Sequence, residues 1–212
     1  MTLLKILPID YNGNRLNEIG DKIVSALNPL IDSYRIEKPI TLVDLLDNMN
    51  VLSSEIDLNQ PYRIAIKSED LLNFLSNYYT PILGVTPVPC IQTLLGNLRN
   101  HNFIVPLDSS TKFLILEGYS SGDSKSCFVS TYDSRFGGHD SDSHIERLSI
   151  LAIHEVLHVL GIREHHKSEK MNSRGKLCPI IDGSITNGFL EDTDYFPCRD
   201  CYSSLGISEP VF

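Results

Sequence analysis

Residues 154–166 read HEVLHVLGIREHH, and this stretch constrains the chain more than any other. In an α-helix, residues four apart lie on nearly one face, so His154 and His158 can reach a single metal ion together. Glu155 projects beside that pair, where it can polarise a metal-held water. Gly161 follows His158 by three positions. A glycine there can end the helix and turn the chain sharply, letting a third donor swing back to the same ion. An H-E-x-x-H pair also occurs in helices that merely bury two hydrogen-bonded histidines. Here the flanking residues include Ile150, Leu151, Ile153, Val156, Leu157, Val159 and Leu160. Two imidazoles and a carboxylate without partners would be costly to bury in so apolar a helix. A metal supplies the partner, and the downstream glycine makes the extended pattern far more specific than its five-residue core.

The chain has five cysteines, Cys90, Cys127, Cys178, Cys198 and Cys201. An odd number without a signal peptide argues against a disulfide scaffold. Cys198 and Cys201 form C-R-D-C, a spacing that lets a tight turn bring two thiolates to one tetrahedral zinc. The alternative, a redox pair, lacks the strand-then-helix setting of a thioredoxin motif. Cys178 and an upstream histidine can complete a site of three cysteines and one histidine. Cys90 and Cys127 have no metal-like spacing and read as core thiols.

The 212 residues suit one domain with a sizeable core. At 42% hydrophobic and 21% charged the composition is that of a globular protein. A net charge of −9 disfavours nucleic acid or an anionic membrane as the main partner. The longest apolar stretch, residues 148–162, is interrupted by His154, Glu155 and His158 and cannot span a bilayer. The N-terminal MTLLKILPIDYNG is broken by Lys5 and Pro8 and reads as a first strand. The expected location is the cytoplasm.

Hydrophobic periodicity predicts strands at 3–9, 34–42, 63–66 and 81–86, with a helix at 16–27 and another that follows an N-terminal cap signature at Ser68, Glu69 and Asp70. KFLILEGYSS and SCFVSTYD read as two strands of a hairpin. A polar loop at 133–144 precedes the metal helix, from about Ile145 to Leu160. The tail, 162–212, has few periodic apolar runs, and a zinc knot would explain how it stays folded. The expected architecture is α+β: one domain over 1–212, with a twisted mixed sheet backed by helices and the site below an edge strand. The sequence leaves the oligomeric state open, and a monomer is plausible.

These residues resemble the archaemetzincins of the metzincin clan, whose pattern is HExxHxxGxxHC, four residues, CxM, seventeen residues, then CxxC. This chain matches through His154, Glu155, His158 and Gly161. It matches again at Cys178-Pro179-Ile180, seventeen intervening residues, and Cys198-x-x-Cys201. The segments ILPI, ILGVT and FVSTYDSRF are also similar to this family. The resemblance implies a zincin-like fold, a peptide or protein substrate, and two zinc ions, one catalytic and one structural. The chain departs from the pattern in three respects. Glu164 stands at the third-histidine position; His165, followed by His166, holds the adjacent cysteine position; and Ile180 replaces the methionine that underlies the catalytic zinc in metzincins, after a stretch before Cys178 that is longer than the pattern's by several residues. Two registers accommodate GIREHH. In the first, His165 completes the catalytic site and His166 replaces the structural cysteine. In the second, Glu164 is the third catalytic ligand and His165 joins the structural site. Both donor sets suit zinc, and the first is preferred because it keeps three histidines.

The expected chemistry is attack of a zinc-activated water on a peptide carbonyl, with Glu155 as general base and then proton donor to the leaving amine. An extended peptide would add to the edge of a strand within 112–132. The competing class is a non-catalytic, zinc-stabilised binding protein with a degenerate site. Glu155 speaks against it, since a purely structural site needs no base. Hydrolysis of a non-peptide amide is a third reading.

Overall fold

The computed structural model describes residues 2–48, 64–93, 104–106, 113–120, 125–132, 141–181 and 192–210. Along the chain run β1 (Leu3–Pro8), α1 (Leu16–Leu27), β2 (Ser33–Ile36), α2 (Leu42–Asn48), β3 (Ile64–Lys67), α3 (Ser68–Ser76), β4 (Ile82–Thr86), β5 (Cys90–Thr93), β6 (Ile104–Pro106), β7 (Phe113–Leu116), β8 (Gly118–Ser120), β9 (Ser126–Ser130), α4 (Asp142–Val159) and α5 (Arg199–Ser204).

Five strands form one sheet in the order β2-β1-β4-β9-β8. The first four are parallel, and β8 closes one edge antiparallel to β9. Every residue of β4 and β9 is buried, as expected of a mostly parallel sheet covered on both faces. Strand alternation splits the core in two. Leu4, Ile6, Leu83, Val85 and Val129 face α1 and α4. Leu7, Ile9, Ile82 and Phe128 face α2 and α3. Helix α1 buries Leu16, Ile19, Ile23 and Leu27 on one stripe, at the predicted bounds.

The structure departs from the sequence reading in four places. Strand β2 stops at Ile36, because the chain reaches Pro39, which lacks a backbone donor, and then starts α2. That helix is fixed by a reciprocal cap. Thr41 Oγ1 accepts from the Asp44 amide at 3.0 Å, and the Asp44 carboxylate accepts from the Thr41 amide at 2.9 Å. Secondly, KFLILEGYSS is not one strand: β7 pairs with β5, whereas β8 pairs with β9. The chain changes sheets at Glu117. A second, four-stranded sheet therefore exists, ordered β6-β3-β5-β7, which no local hydropathy pattern announces. Thirdly, Ser68 is the first residue of α3 and not its cap, since β3 runs directly into the helix. Fourthly, the tail contains α5. It docks on α1 through the Tyr202 hydroxyl, which donates to the Ala26 carbonyl at 2.9 Å. Of the expected loop 133–144, residues 133–140 lie outside the described residues.

Helix α4 begins earlier than its apolar run, because Ser141 Oγ accepts from the His144 amide at 3.2 Å. It packs against β9 and β8, which brings Glu155 under the edge of the sheet. Among the described residues no helix is long and apolar enough to cross a membrane.

Candidate metal centres and active site

Helix α4 ends in a Schellman turn. Gly161 has φ +112°, its amide donates to the His158 carbonyl at 3.0 Å, and the Ile162 amide donates to the Leu157 carbonyl at 3.0 Å. The turn sends the chain back over the last turn of the helix. His165 thereby stands beside His154 and His158, with the three Nε2 atoms 3.0–3.1 Å apart. The Nδ1 of His154 donates to the Pro179 carbonyl at 2.6 Å, and that of His158 to the Ile162 carbonyl at 2.5 Å. A carbonyl can only accept, so each Nδ1 carries the proton and each Nε2 of a neutral ring presents a bare lone pair. Both rings are held neutral. Burial, reinforced by His158, pushes the His154 imidazole down to about 3, and burial likewise lowers His158.

Glu155 is 6% exposed. Burial raises its carboxyl to about 8, against a hydrogen bond from the Ser120 side chain that favours the charged form. Strand β8 meets this carboxylate at Gly118, where a β-carbon would lie 2.6 Å from Glu155 Oε1. Gly118, Tyr119, Ser120, the three histidines, Glu155, Ile162 and Arg163 line a cavity of about 440 Å³. It has the dimensions of a ligand cleft.

A second group gathers around α5. Cys198 and Cys201 flank its first turn, Cys178 arrives from a buried loop, and His166 comes from the residue after His165. His166 Nε2 lies 3.2 Å from Cys198 Sγ and 3.3 Å from Cys201 Sγ. The sulfur of Cys201 is 3.7 Å from that of Cys178 and 3.8 Å from that of Cys198. Disulfides require about 2.0 Å, and all five cysteines are free thiols. Hydrogen bonds from the Cys178 and Cys201 thiols hold Cys198 well below its ordinary range. The same contacts push Cys178 up to about 12 and raise Cys201.

Both groups fit zinc. Tetrahedral zinc with nitrogens at about 2.0–2.1 Å sets them about 3.3 Å apart, and sulfurs at about 2.3 Å stand about 3.8 Å apart. The histidine nitrogens and the cysteine sulfurs come close to those edges. Two of the three converging nitrogens, those of His154 and His158, present bare lone pairs to each other and are mutually repulsive without a cation between them.

The structure brings His165 together with His154 and His158, and His166 together with the three cysteines. Glu164 is exposed and joins neither group. Ile180 is fully buried in the same apolar cluster as Val156, Leu157 and Cys178. Cys90 and Cys127 are buried and stand outside both groups. Sequence reasoning missed Gly118, Ser120, Arg163 and the Pro179 carbonyl as parts of the site. Only Pro179 carried a local signal, through its place in the Cys178-Pro179-Ile180 match.

No protein-family model matches the chain, and no curated protein does. Solved structures do. The archaemetzincin of Archaeoglobus fulgidus, crystallised with malonate, superposes with a TM-score of 0.57 at 16% identity, covering 95% of this chain and 99% of that one. The archaemetzincin of Methanopyrus kandleri gives 0.60 at 16% identity over 97% and 93% of the two chains. A zinc-dependent peptidase of Methanocorpusculum labreanum gives 0.54 at 15% identity over 95% and 99%. The chain therefore has an archaemetzincin-like fold along nearly its whole length.

Proposed function

We propose that this chain is a zinc metallopeptidase of archaemetzincin type, with one zinc at His154, His158 and His165 and a second, structural zinc at His166, Cys178, Cys198 and Cys201. The observation that carries the reading is the convergence of three imidazole nitrogens beside a buried carboxylate, directly under an edge strand. A bound zinc supplies Lewis acidity, polarising a carbonyl and making water nucleophilic near neutral pH. Glu155 takes the proton from the attacking water and returns it to the leaving amine. Its raised pKa suits a group that must do both. Ser120 and Gly118 fix the carboxylate: the hydroxyl donates to it, and the missing side chain leaves room for it. The outer edge of β8 receives the substrate as an added strand, so that main-chain hydrogen bonds hold an extended peptide along the cleft.

The structural site anchors a tail with a small core of its own. The substrate class is peptide or protein, in keeping with the solved peptidase that this fold resembles. The test is metal dependence. Cleavage of an unstructured peptide mixture should stop when zinc is chelated and return when zinc is restored. Cleavage that persists in metal-free protein would remove the proposal.

A further inference from the structure

We infer that the cysteine-rich group is the scaffold on which the histidine group is assembled, so that metal in the first sets the metal affinity of the second. The inference rests on the proposal that both groups are zinc sites. Three connections carry it. The first is covalent. His165 and His166 are consecutive, yet their Nε2 atoms belong to different groups, one among the histidines and the other 3.2 Å from Cys198 Sγ. His165 is exposed and lies in a loop with exposed Arg163 and Glu164. Among the described residues, its place is set by the Gly161 turn before it and the anchored His166 after it.

The second connection runs through the loop that supplies Cys178. The next residue, Pro179, accepts the Nδ1 proton of His154 at 2.6 Å, and so dictates which nitrogen of that ring faces the metal. Carbonyl partners of this kind orient ligand imidazoles and fix their tautomer. The third connection is the carbonyl of Ile180, which accepts from the His166 amide at 2.9 Å and ties the two loops together. The Cys178 carbonyl in turn accepts from the Ile181 amide at 3.2 Å, closing this span into a turn. Cys178, Ile180 and Ile181 are fully buried. One rigid four-residue span therefore contributes a donor to the cysteine group and a positioning carbonyl to each of His154 and His166. The dependence is directional in construction, because no residue of α4 enters the cysteine group. In free energy it is reciprocal, as any coupling between two sites must be.

The experiment is a zinc titration of metal-free full-length protein against a chromophoric chelator, resolving the two affinities. It compares the parent with His166→Ala, His166→Cys and a protein with one glycine inserted between His165 and His166. The insertion keeps all seven donors and so remains informative if His166→Ala fails to fold. The histidine-site affinity should fall about 10–100-fold in the alanine and insertion proteins, the scale typical of lost ligand support. It should return to the parent value in His166→Cys, which still supplies a donor. An unchanged histidine-site affinity in the folded insertion protein would overturn the inference. The readout is metal affinity, so absence of peptide cleavage in the parent would count against the proposed function alone.

Discussion

A β-carbon on Gly118 would stand 2.6 Å from Oε1 of Glu155, closer than any real contact. The edge strand and the carboxylate are fitted to each other, and a side chain at 118 must push Glu155 aside. A displacement of about 1 Å at a catalytic group can cost about 100-fold in rate. Gly118→Val should therefore lower kcat by about that factor while zinc content stays at the parent level. Metal analysis and steady-state kinetics on the same preparation check this.

Cys198→Ser and Cys201→Ser should destabilise the fold, because each removes a donor from the group that joins His166, the Cys178 loop and α5. A loss of at least about 2 kcal/mol corresponds to a fall in Tm of about 4–8 °C for a chain of this size. Glu155→Ala should leave Tm within a degree or two of the parent, at about the scale of measurement. Thermal unfolding of the three variants side by side is the check.

The registers separate by mutation. Glu164 is exposed and joins neither donor group, so Glu164→Gln should leave metal content and turnover unchanged. His165→Ala should abolish turnover and release one zinc per chain, with the cysteine-bound ion retained. Elemental analysis after gel filtration distinguishes the two.

Metal-free protein should be sensitive to acid. The folded-state pKa of His154 is about 3 and that of His158 is also lowered, both chiefly by burial. An unfolded histidine titrates near 6.5. Between those values the unfolded chain binds more protons, so stability is full above about pH 6.5 and falls as pH drops toward the folded-state value. The Tm of chelated protein should decline from about pH 6.5 to 5, and the decline should be shallower in His154→Gln.

The histidine motif was legible because its geometry is local: His154, Glu155 and His158 lie within two turns of one helix, and Gly161 closes it. The bounds of α1 were legible for the same reason, since its apolar spacing repeats without interruption from Leu16 to Leu27. The choice among Glu164, His165 and His166 was not. It depends on how the chain turns after Gly161 and on two carbonyls, at Pro179 and Ile180, that lie outside the motif. Gly118 and Ser120 escaped because their partner is more than thirty positions away and reached only by folding. The second sheet escaped because Phe113–Leu116 and Gly118–Ser120 form one unbroken strand-like run, and nothing local marks Glu117 as the crossing between sheets.

The most direct measurement is peptide cleavage by zinc-loaded parent and Glu155→Ala, with zinc measured on the same samples. On the proposed mechanism Glu155 acts through its carboxylate, and it is not among the donors that converge at the histidine group. The account predicts two zinc ions per chain in both proteins, cleavage by the parent, and a loss of at least about 100-fold in the variant, the scale of a missing general base. Equal cleavage by both proteins, or none by a fully zinc-loaded parent, would contradict it.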